Sequence, residues 1–270
     1  MAENREAAAD PASAAAEVRS KGSVVLRGVW PLEPLAKLRS VIQSFSDLRA
    51  QRVAGGEMLR QSERMYATHG VGTFTNLVGT GQIDDGFLGT LFAGSYYQRV
   101  CAEYFDDDQF YVATRRLGFR NHSPVHSDRS FIPYHQDSYT QDPRIKHVLN
   151  CWIPLDPGAG RESPGLEVVR STCRPDFPRK DWGLQSGNAA YDTITIDRER
   201  IVEEYGEIFL APEFDVGDGL VFSENVIHRT YVTPTMTQPR INFELRVFTR
   251  KSLVDGVSIA DFGDTAYRIG

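Results

Sequence analysis

Residues 131–137 carry the sequence Phe-Ile-Pro-Tyr-His-Gln-Asp, and the interpretation of the whole chain begins there. Side chains on an extended strand repeat every two residues, so His135 and Asp137 are expected to point to the same side. His228 lies far along the chain, and only a folded sheet can bring it to the same point. Two imidazoles and one carboxylate would then bind a metal on one face and leave the opposite face open.

This donor set is the one that non-haem Fe(II) oxygenases use. Arg240 follows His228 and carries a planar, permanently charged guanidinium that fits a carboxylate. Together these residues predict one Fe(II), with 2-oxoglutarate and molecular oxygen as co-substrates. A single His-x-Asp triplet is weak evidence, because such short motifs also arise by chance.

A second triplet, His126-Ser127-Asp128, occurs just before the first one. It lies in a polar stretch with loop chemistry, between Pro124 and Arg129-Ser130. We therefore favour His135 and Asp137 as the metal ligands and interpret the earlier triplet as a loop or substrate-side element. The alternative for both triplets is ordinary polar residues at a strand end.

The distal part of the chain shows a strand with two different faces. Val216–Gly219 forms a turn signal before a short apolar run, and a Thr/Pro-rich turn precedes Arg240. From there apolar and polar residues alternate with period two, which predicts a strand: Ile241, Phe243, Leu245 and Val247 against Arg240, Asn242, Glu244 and Arg246. Charges on an inward face would line a site, whereas a solvent-facing polar side is the commoner alternative.

Arg240 and Arg246 share one face of that strand, so periodicity alone does not choose between them as the anchor for 2-oxoglutarate. They are about 20 Å apart along a strand, which predicts that one of them reaches the co-substrate. If the preceding turn centres near Thr235, antiparallel pairing sets Thr230 opposite Arg240. The same pairing sets Arg246 opposite Glu224, away from the metal. The sequence therefore favours Arg240.

In order and spacing, several segments resemble the phytanoyl-CoA dioxygenase-like branch of the Fe(II)/2-oxoglutarate oxygenases, from about Lys21 to Lys251. They are Gly22–Trp30, Pro133–Asp137, Asn150–Asp156, Ser163–Val169 and Asp218–His228. The resemblance implies a mainly β fold with flanking α-helices around a double-stranded β-helix core, the cupin-like jelly roll. It also implies one Fe(II), held by His135, Asp137 and His228, and 2-oxoglutarate contacted by Gln136, Trp152, Thr230 and Arg240.

The chain departs from that family's pattern at one place. Family members commonly continue the Ser163–Val169 segment into Pro-Gly-Ser-His, whereas this chain has residues 170–174, Arg-Ser-Thr-Cys-Arg. This departure affects a local turn and the substrate side, but not the metal site. Asp137 itself matters for the chemistry, because a halogenating relative would lack the carboxylate. The resemblance therefore implies oxygenation.

Composition bounds the class of protein. With 270 residues and 41% hydrophobic content, we expect one oxygenase domain over residues 21–270. Residues 1–20 are rich in Ala and charge, which predicts a disordered or weakly helical tail. A net charge of −6 argues against a nucleic-acid partner. The absence of an apolar run of about 18 residues argues against a membrane span. Three cysteines, an odd and sparse set, indicate reduced thiols in the cytoplasm.

Helices are expected mainly in the N-terminal half. Apolar residues from Leu35 to Leu48 form an amphipathic stripe, Phe87–Phe105 is a second candidate, and Asp197 would cap a short helix to Tyr205. The segment between Gly55 and Gly86 has no clean period and is typical of loops that close over a site. A basic cluster would hold an anionic substrate or form a solvated strand: Arg115, Arg116 and Arg120.

The function that this sequence favours is oxidation of a C–H bond in a small organic molecule, most simply hydroxylation, with release of succinate and CO2. A cupin-like metal-dependent isomerase, or a dioxygenase that does not use 2-oxoglutarate, could share the jelly roll but would not need Arg240. A catalytically silent binding protein has little reason to retain all three metal ligands. The sequence identifies neither the substrate nor the oligomeric state.

Overall fold

The computed structural model describes residues 10–56, 70–114, 117–122, 131–137, 142–170, 196–206 and 208–269. Its strands, numbered along the chain, are β1 (Ser23–Leu26), β2 (Val71–Thr73), β3 (Tyr111–Ala113), β4 (Gly118–His122), β5 (Leu149–Pro154), β6 (Gly165–Val169), β7 (Phe209–Leu210), β8 (Gly219–Ser223), β9 (His228–Tyr231), β10 (Arg240–Val247) and β11 (Ala266–Arg268). Its α-helices are α1 (Pro11–Lys21), α2 (Leu32–Ala54), α3 (Phe74–Val78), α4 (Phe87–Phe92), α5 (Tyr96–Phe105) and α6 (Arg198–Tyr205). Short 3-10 helices span Arg250–Ser252 and Ile259–Thr265.

Two antiparallel sheets form the core. The larger sheet has the order β1-β8-β5-β10-β4-β2, and the smaller one has the order β7-β6-β9. Side chains of both sheets pack into one apolar cluster, with Trp152 and Phe222 from the larger sheet against Leu166 and Val168 from the smaller one. Strands β3 and β11 form a separate pair. The predicted mainly β architecture, a jelly roll with flanking helices, is confirmed.

The two faces of the larger sheet differ as the alternation on β10 predicts. Its apolar residues pack with the helices in one buried cluster, which includes Phe243 and Leu245 beside Leu38 and Ile42 of α2. The alternate residues face the smaller sheet, where Arg240 is almost fully buried. A row of polar side chains therefore points into the space between the sheets.

Helix α1 corrects the prediction of a disordered or weakly helical tail. Residues 11–20 belong to a regular helix whose Ala14, Ala15 and Val18 are buried. These small side chains let α1 pack closely against α5, and Arg19 donates to the carbonyls of Glu103 and Tyr104. Low hydrophobicity resembled disorder, but a narrow face of small residues is enough to bury a helix. Residues 1–9 lie outside the described part of the chain.

The other helices follow the sequence with two differences. The expected helix from Phe87 to Phe105 is broken between α4 and α5, where Gly94 takes a positive φ of 71°. Leu48 of α2 is exposed rather than part of the buried stripe. Asp197 caps α6 as expected and accepts a hydrogen bond from the amide of Glu199.

Three further predictions meet the structure in part. Within the Gly55–Gly86 segment, residues 57–69 lie outside the described chain, and the remainder includes β2 and α3. Cys101 and Cys151 are free and buried, whereas Cys173 lies outside the described residues. Among the helices that are described, none is long and apolar enough to span a membrane.

Candidate metal centre

His135 and His228 are brought together by backbone pairing. The two residues form an antiparallel bridge in which each amide donates to the other's carbonyl, at 3.0 Å in both directions. Their imidazole rings lie 4.2 Å apart between centroids. Asp137 follows two residues after His135 and places one carboxylate oxygen, Oδ1, 3.6 Å from Nε2 of His135 and 3.9 Å from Nε2 of His228.

These three residues have the geometry of a metal site. One ligand atom from each lies within 4.8 Å of the others, and all three residues are buried. The distances suit a single ion placed between the atoms, because nitrogen and oxygen ligands bind first-row metals at about 2.0–2.2 Å. Within the ranges that the structure describes, no other group of three or more His, Cys, Asp and Glu residues has this geometry.

Hydrogen bonds set the tautomer of both histidines. Nδ1 of His135 lies 2.8 Å from the carbonyl of Pro133, and Nδ1 of His228 lies 2.9 Å from the carbonyl of Val226. A carbonyl only accepts, so each Nδ1 carries the proton and each Nε2 keeps a lone pair. Both Nε2 atoms lie near Oδ1 of Asp137, as the ligand atoms of one metal would.

Burial and neighbouring charges favour the protonation states in which these residues can bind a metal: a charged carboxylate and a neutral imidazole. Burial raises the pKa of the Asp137 carboxyl, but the Arg246 guanidinium and the two histidines lower it more, and it ends well below its usual range. Burial and the neighbouring His135 lower the pKa of His228 to about 4. At neutral pH, Asp137 is therefore charged and His228 is neutral, which is the state that binds a divalent cation.

The same cavity contains a buried arginine. Arg240 is 1% exposed, its guanidinium lies over the ring of Trp152 at 4.8 Å, and one of its terminal nitrogens donates to Nδ1 of His122 at 2.7 Å. Its Nε and its other terminal nitrogen have no hydrogen-bond partner among the described residues. Burial and the charge of Arg120 lower the pKa of Arg240 to about 9. Buried donors without acceptors are costly, so this position suits an anion.

Of the four residues that the resemblance implies as contacts of 2-oxoglutarate, Trp152, Thr230 and Arg240 line the cavity and Gln136 does not. The Thr230 hydroxyl accepts a hydrogen bond from the amide of Ile132 at 3.2 Å and keeps its own proton for a ligand. The side-chain amide of Gln136 donates to the carbonyl of Asn225, and Gln136 is not among the residues that line the cavity. The structure gives no support for a contact between Gln136 and a ligand in this cavity.

The pairing predicted for β9 and β10 is wrong. The two strands belong to different sheets, with Thr230 opposite Leu166 and Arg240 opposite His122. The connection between them is held by the carbonyl of Glu162, which accepts from the amides of residues 237 and 238. Two strands joined by a hairpin and two strands in different sheets show the same period-two pattern of apolar and polar residues. The sequence therefore did not distinguish them.

Arg246 also lies elsewhere than predicted. Instead of facing Glu224, which accepts from His147, it donates to Oδ2 of Asp137 at 3.1 Å and lines the cavity with Arg240. The expectation that Arg246 would be distant from the metal is therefore wrong. Arg246 forms ion pairs with Asp137 and Glu244. The choice of Arg240 as the anchor for 2-oxoglutarate therefore depends on the partners of the two arginines and not on their distance from the cavity.

Sequence reasoning did not assign several polar residues to the site, among them His122, Asn150 and Glu244. His122 and Arg120 alternate on β4, and Glu244 alternates on β10, so period-two patterning was the available signal. Of the basic cluster, Arg120 pairs with Glu244 at 3.0 Å, while Arg115 and Arg116 lie outside the described residues. His126 and Asp128 lie outside them as well.

Solved structures share this fold. EvdO2 from Micromonospora carbonacea var. aurantiaca, complexed with 2-oxoglutarate, is 16% identical with a TM-score of 0.62, over 93% of this chain and 95% of that one. The epimerase SnoN in complex with Fe3+, alpha ketoglutarate and nogalamycin RO is 16% identical with a TM-score of 0.59, over 94% and 90%. EctD from S. alaskensis is 12% identical with a TM-score of 0.57, over 93% and 82%.

No family model and no curated protein sequence matches the chain. At identities of 12–16% the likeness to these structures concerns the fold and not the reaction. The chain therefore has the jelly-roll fold of EvdO2, SnoN and EctD, with a buried His-Asp-His group and a buried arginine in one cavity between its sheets.

Proposed function

We propose that the protein is a non-haem Fe(II)- and 2-oxoglutarate-dependent dioxygenase that hydroxylates a C–H bond of a small organic molecule. In the balanced reaction, substrate, O2 and 2-oxoglutarate give the alcohol, succinate and CO2. One observation carries the proposal: His135, Asp137 and His228 share a cavity with Arg240, whose Nε and one terminal nitrogen lack partners within the described chain. The similarity to enzymes solved with 2-oxoglutarate and iron supports it.

The three ligands would hold Fe(II) through the two Nε2 atoms and Oδ1 of Asp137. Iron bound there would supply oxygen activation, with the decarboxylation of 2-oxoglutarate as the source of electrons. The chain itself supplies the fixed ligands, the orientation of the co-substrate and a site shielded from water.

Arg240 would bind the distal carboxylate of 2-oxoglutarate through its guanidinium, which has donors without a protein partner among the described residues. Such charge-assisted bonds are strong and directional, and burial strengthens them further. The Thr230 hydroxyl has a proton to donate to the same carboxylate, and the Trp152 ring covers one face of the guanidinium. Gln136 is left out of this proposed set because its amide is engaged outside the cavity.

Oxygen-dependent formation of succinate tests the proposal. We expect purified protein with Fe(II) and 2-oxoglutarate to release succinate faster when a library of small molecules includes its substrate. An isomerase, or a dioxygenase that does not use 2-oxoglutarate, would convert substrate without succinate. A binding protein would convert none. Asp137→Ala is the matched inactive control.

The likeness to SnoN, an alpha ketoglutarate dependent epimerase, favours a second outcome at the same site, inversion of a stereocentre. Both outcomes start with removal of hydrogen from a C–H bond, and they differ in what returns to the carbon. Turnover under ¹⁸O2 separates them, because hydroxylation places one label in the product and epimerisation places none.

We further propose that the chain belongs to the phytanoyl-CoA dioxygenase-like branch, with residues 21–270 as its oxygenase domain. The support is the order of the motifs, which fall on elements of the core: Ser23–Leu26 forms β1, Leu149–Pro154 forms β5 and Gly165–Val169 forms β6. The buried α1 also argues for including residues 11–20 in the folded unit.

A further inference from the structure

The two oxygens of the Asp137 carboxylate have different surroundings. Oδ1 faces the Nε2 atoms of His135 and His228, at 3.6 and 3.9 Å. Oδ2 instead accepts two hydrogen bonds at 3.1 Å, from the side-chain amide of Asn150 and from a terminal nitrogen of Arg246. One oxygen is thus directed to the candidate metal position and the other is held away from it.

The two donors are fixed by the sheet rather than by a loop. Asn150 on β5 and Arg246 on β10 are directly paired across the larger sheet, so both side chains reach Asp137 from the same level. The Arg246 nitrogen also lies 2.8 Å from Glu244, whose other oxygen accepts from Arg120 at 3.0 Å. This chain of alternating charges holds the Arg246 side chain in place.

We propose that Arg246 and Asn150 are positioning residues that keep Asp137 a one-oxygen ligand. This inference rests on the proposed function, because it concerns the metal that His135, Asp137 and His228 would hold. A carboxylate can bind a metal through one oxygen or through both. Turning Oδ2 toward the metal would break its hydrogen bonds with Asn150 and Arg246 and weaken the ion pair with the guanidinium, which is costly.

The consequence concerns the positions left open on the metal. A facial set of two histidines and a one-oxygen carboxylate leaves three positions of an octahedron for other ligands. If Asp137 bound through both oxygens, it would occupy one of those positions. Arg246 and Asn150 would therefore preserve the room that a chelating co-substrate and oxygen require, without contacting either.

Water-proton relaxation of the Mn(II)-loaded protein tests this directly, because the enhancement reports water molecules bound to Mn(II). In Arg246→Met, which removes the charge but keeps an unbranched side chain, we expect the enhancement to fall by about a third, from three bound waters to two. Oxalate chelates Mn(II) without needing Arg240 and would displace two bound waters. It should leave one water on Mn(II) in the wild type and none in the variant.

The controls separate positioning from folding. Arg161→Met makes the same change at an arginine that pairs with Glu213 away from the cavity, so its enhancement should equal that of the wild type. Arg246→Lys retains a cationic donor and should restore most of the enhancement. Arg246→Leu, which also removes every donor at this position, provides the same comparison if Arg246→Met does not fold, and it should show the same loss.

Two outcomes overturn the inference in different ways. Equal enhancement in the wild type and in Arg246→Met or Arg246→Leu would show that Asp137 binds in the same mode without Arg246, and the proposed function would stand. A wild-type protein that binds no Mn(II) at this site would contradict the metal centre itself, and with it the proposed function.

Discussion

His135 and His228 are partners in an antiparallel bridge, with two backbone hydrogen bonds of 3.0 Å between them. The spacing of the two candidate ligands is therefore set by main-chain pairing, and a shift of register by one residue would turn one imidazole out of the cavity. Tyr134 and Arg229, the neighbours of these histidines, both contact the buried carboxylate of Glu167. These contacts hold the bridged pair in place.

Metal content of variants should identify the ligand set. We expect Asp137→Ala to lose most of the bound iron, because a neutral side chain cannot replace the charged oxygen that two histidines face. His126→Ala and Asp128→Ala serve as controls and should keep their iron. Elemental analysis of anaerobically loaded proteins measures this. Full iron in Asp137→Ala together with none in Asp128→Ala would move the site to the earlier triplet.

Arg240 should determine the affinity for 2-oxoglutarate. A hydrogen bond to a charged group contributes about 1.5–3 kcal/mol, so Arg240→Ala should weaken binding to the Mn(II)-loaded protein by roughly ten- to a hundredfold. Arg240→Lys should also weaken it, because an ammonium does not offer the same planar pair of donors. Calorimetric titration gives the dissociation constants, and wild-type affinity in Arg240→Ala would refute the assignment.

The products should contain no halogen. In the proposed centre Asp137 would fill the position on the metal that a halide needs, so turnover in chloride or bromide should give the same product as turnover without them. Mass spectrometry of the reaction with any accepted substrate detects halogen through its isotope pattern. A chlorinated product from the wild-type enzyme would contradict the proposed role of the Asp137 carboxylate.

The metal-free protein should lose stability in mildly acidic solution. The pKa of His228 falls from about 6.5 in an unfolded chain to about 4 in the folded protein. Above pH 6.5 the residue is neutral in both states; as the pH falls toward 4, the unfolded state takes up a proton first. The free energy of unfolding should therefore drop by as much as about 1.4 kcal/mol per pH unit from this residue.

Urea unfolding between pH 7 and pH 5 measures that slope, with His228→Asn as the control that does not titrate. The wild type should lose more stability than the variant over this interval. The same slope in both proteins would show that His228 is not held neutral by burial.

The three residues of the candidate metal site could be predicted from the sequence because the relevant physics is local. The expected strand over His135 and Asp137 is not formed, since the structure has only an isolated bridge at His135, but the two side chains still meet as the spacing predicts, and the alternation on β10 separates the apolar residues from Arg240 and Arg246. These patterns persist whichever strands become neighbours. Residue type and spacing were therefore enough to predict the donor set and the polar inner face of the larger sheet.

The contacts of Arg246 could not be predicted in this way. They depend on which strands pair, and the connection from β9 to β10 crosses between the sheets instead of forming a hairpin. A similar limit applies to α1, where the Ala-rich sequence fits a disordered tail and the burial of Ala15 comes from its packing on the body of the protein. Long-range pairing and packing decide both features.

Anaerobic titration of 2-oxoglutarate into the Fe(II)-loaded protein tests the central claim most directly. Chelation of Fe(II) by a 2-oxo acid produces a visible charge-transfer absorption, which should appear and saturate at one 2-oxoglutarate per chain. It should be absent in Asp137→Ala and require much more 2-oxoglutarate in Arg240→Ala. Wild-type protein that holds one Fe(II) at His135, Asp137 and His228 but gives no such absorption would contradict the account.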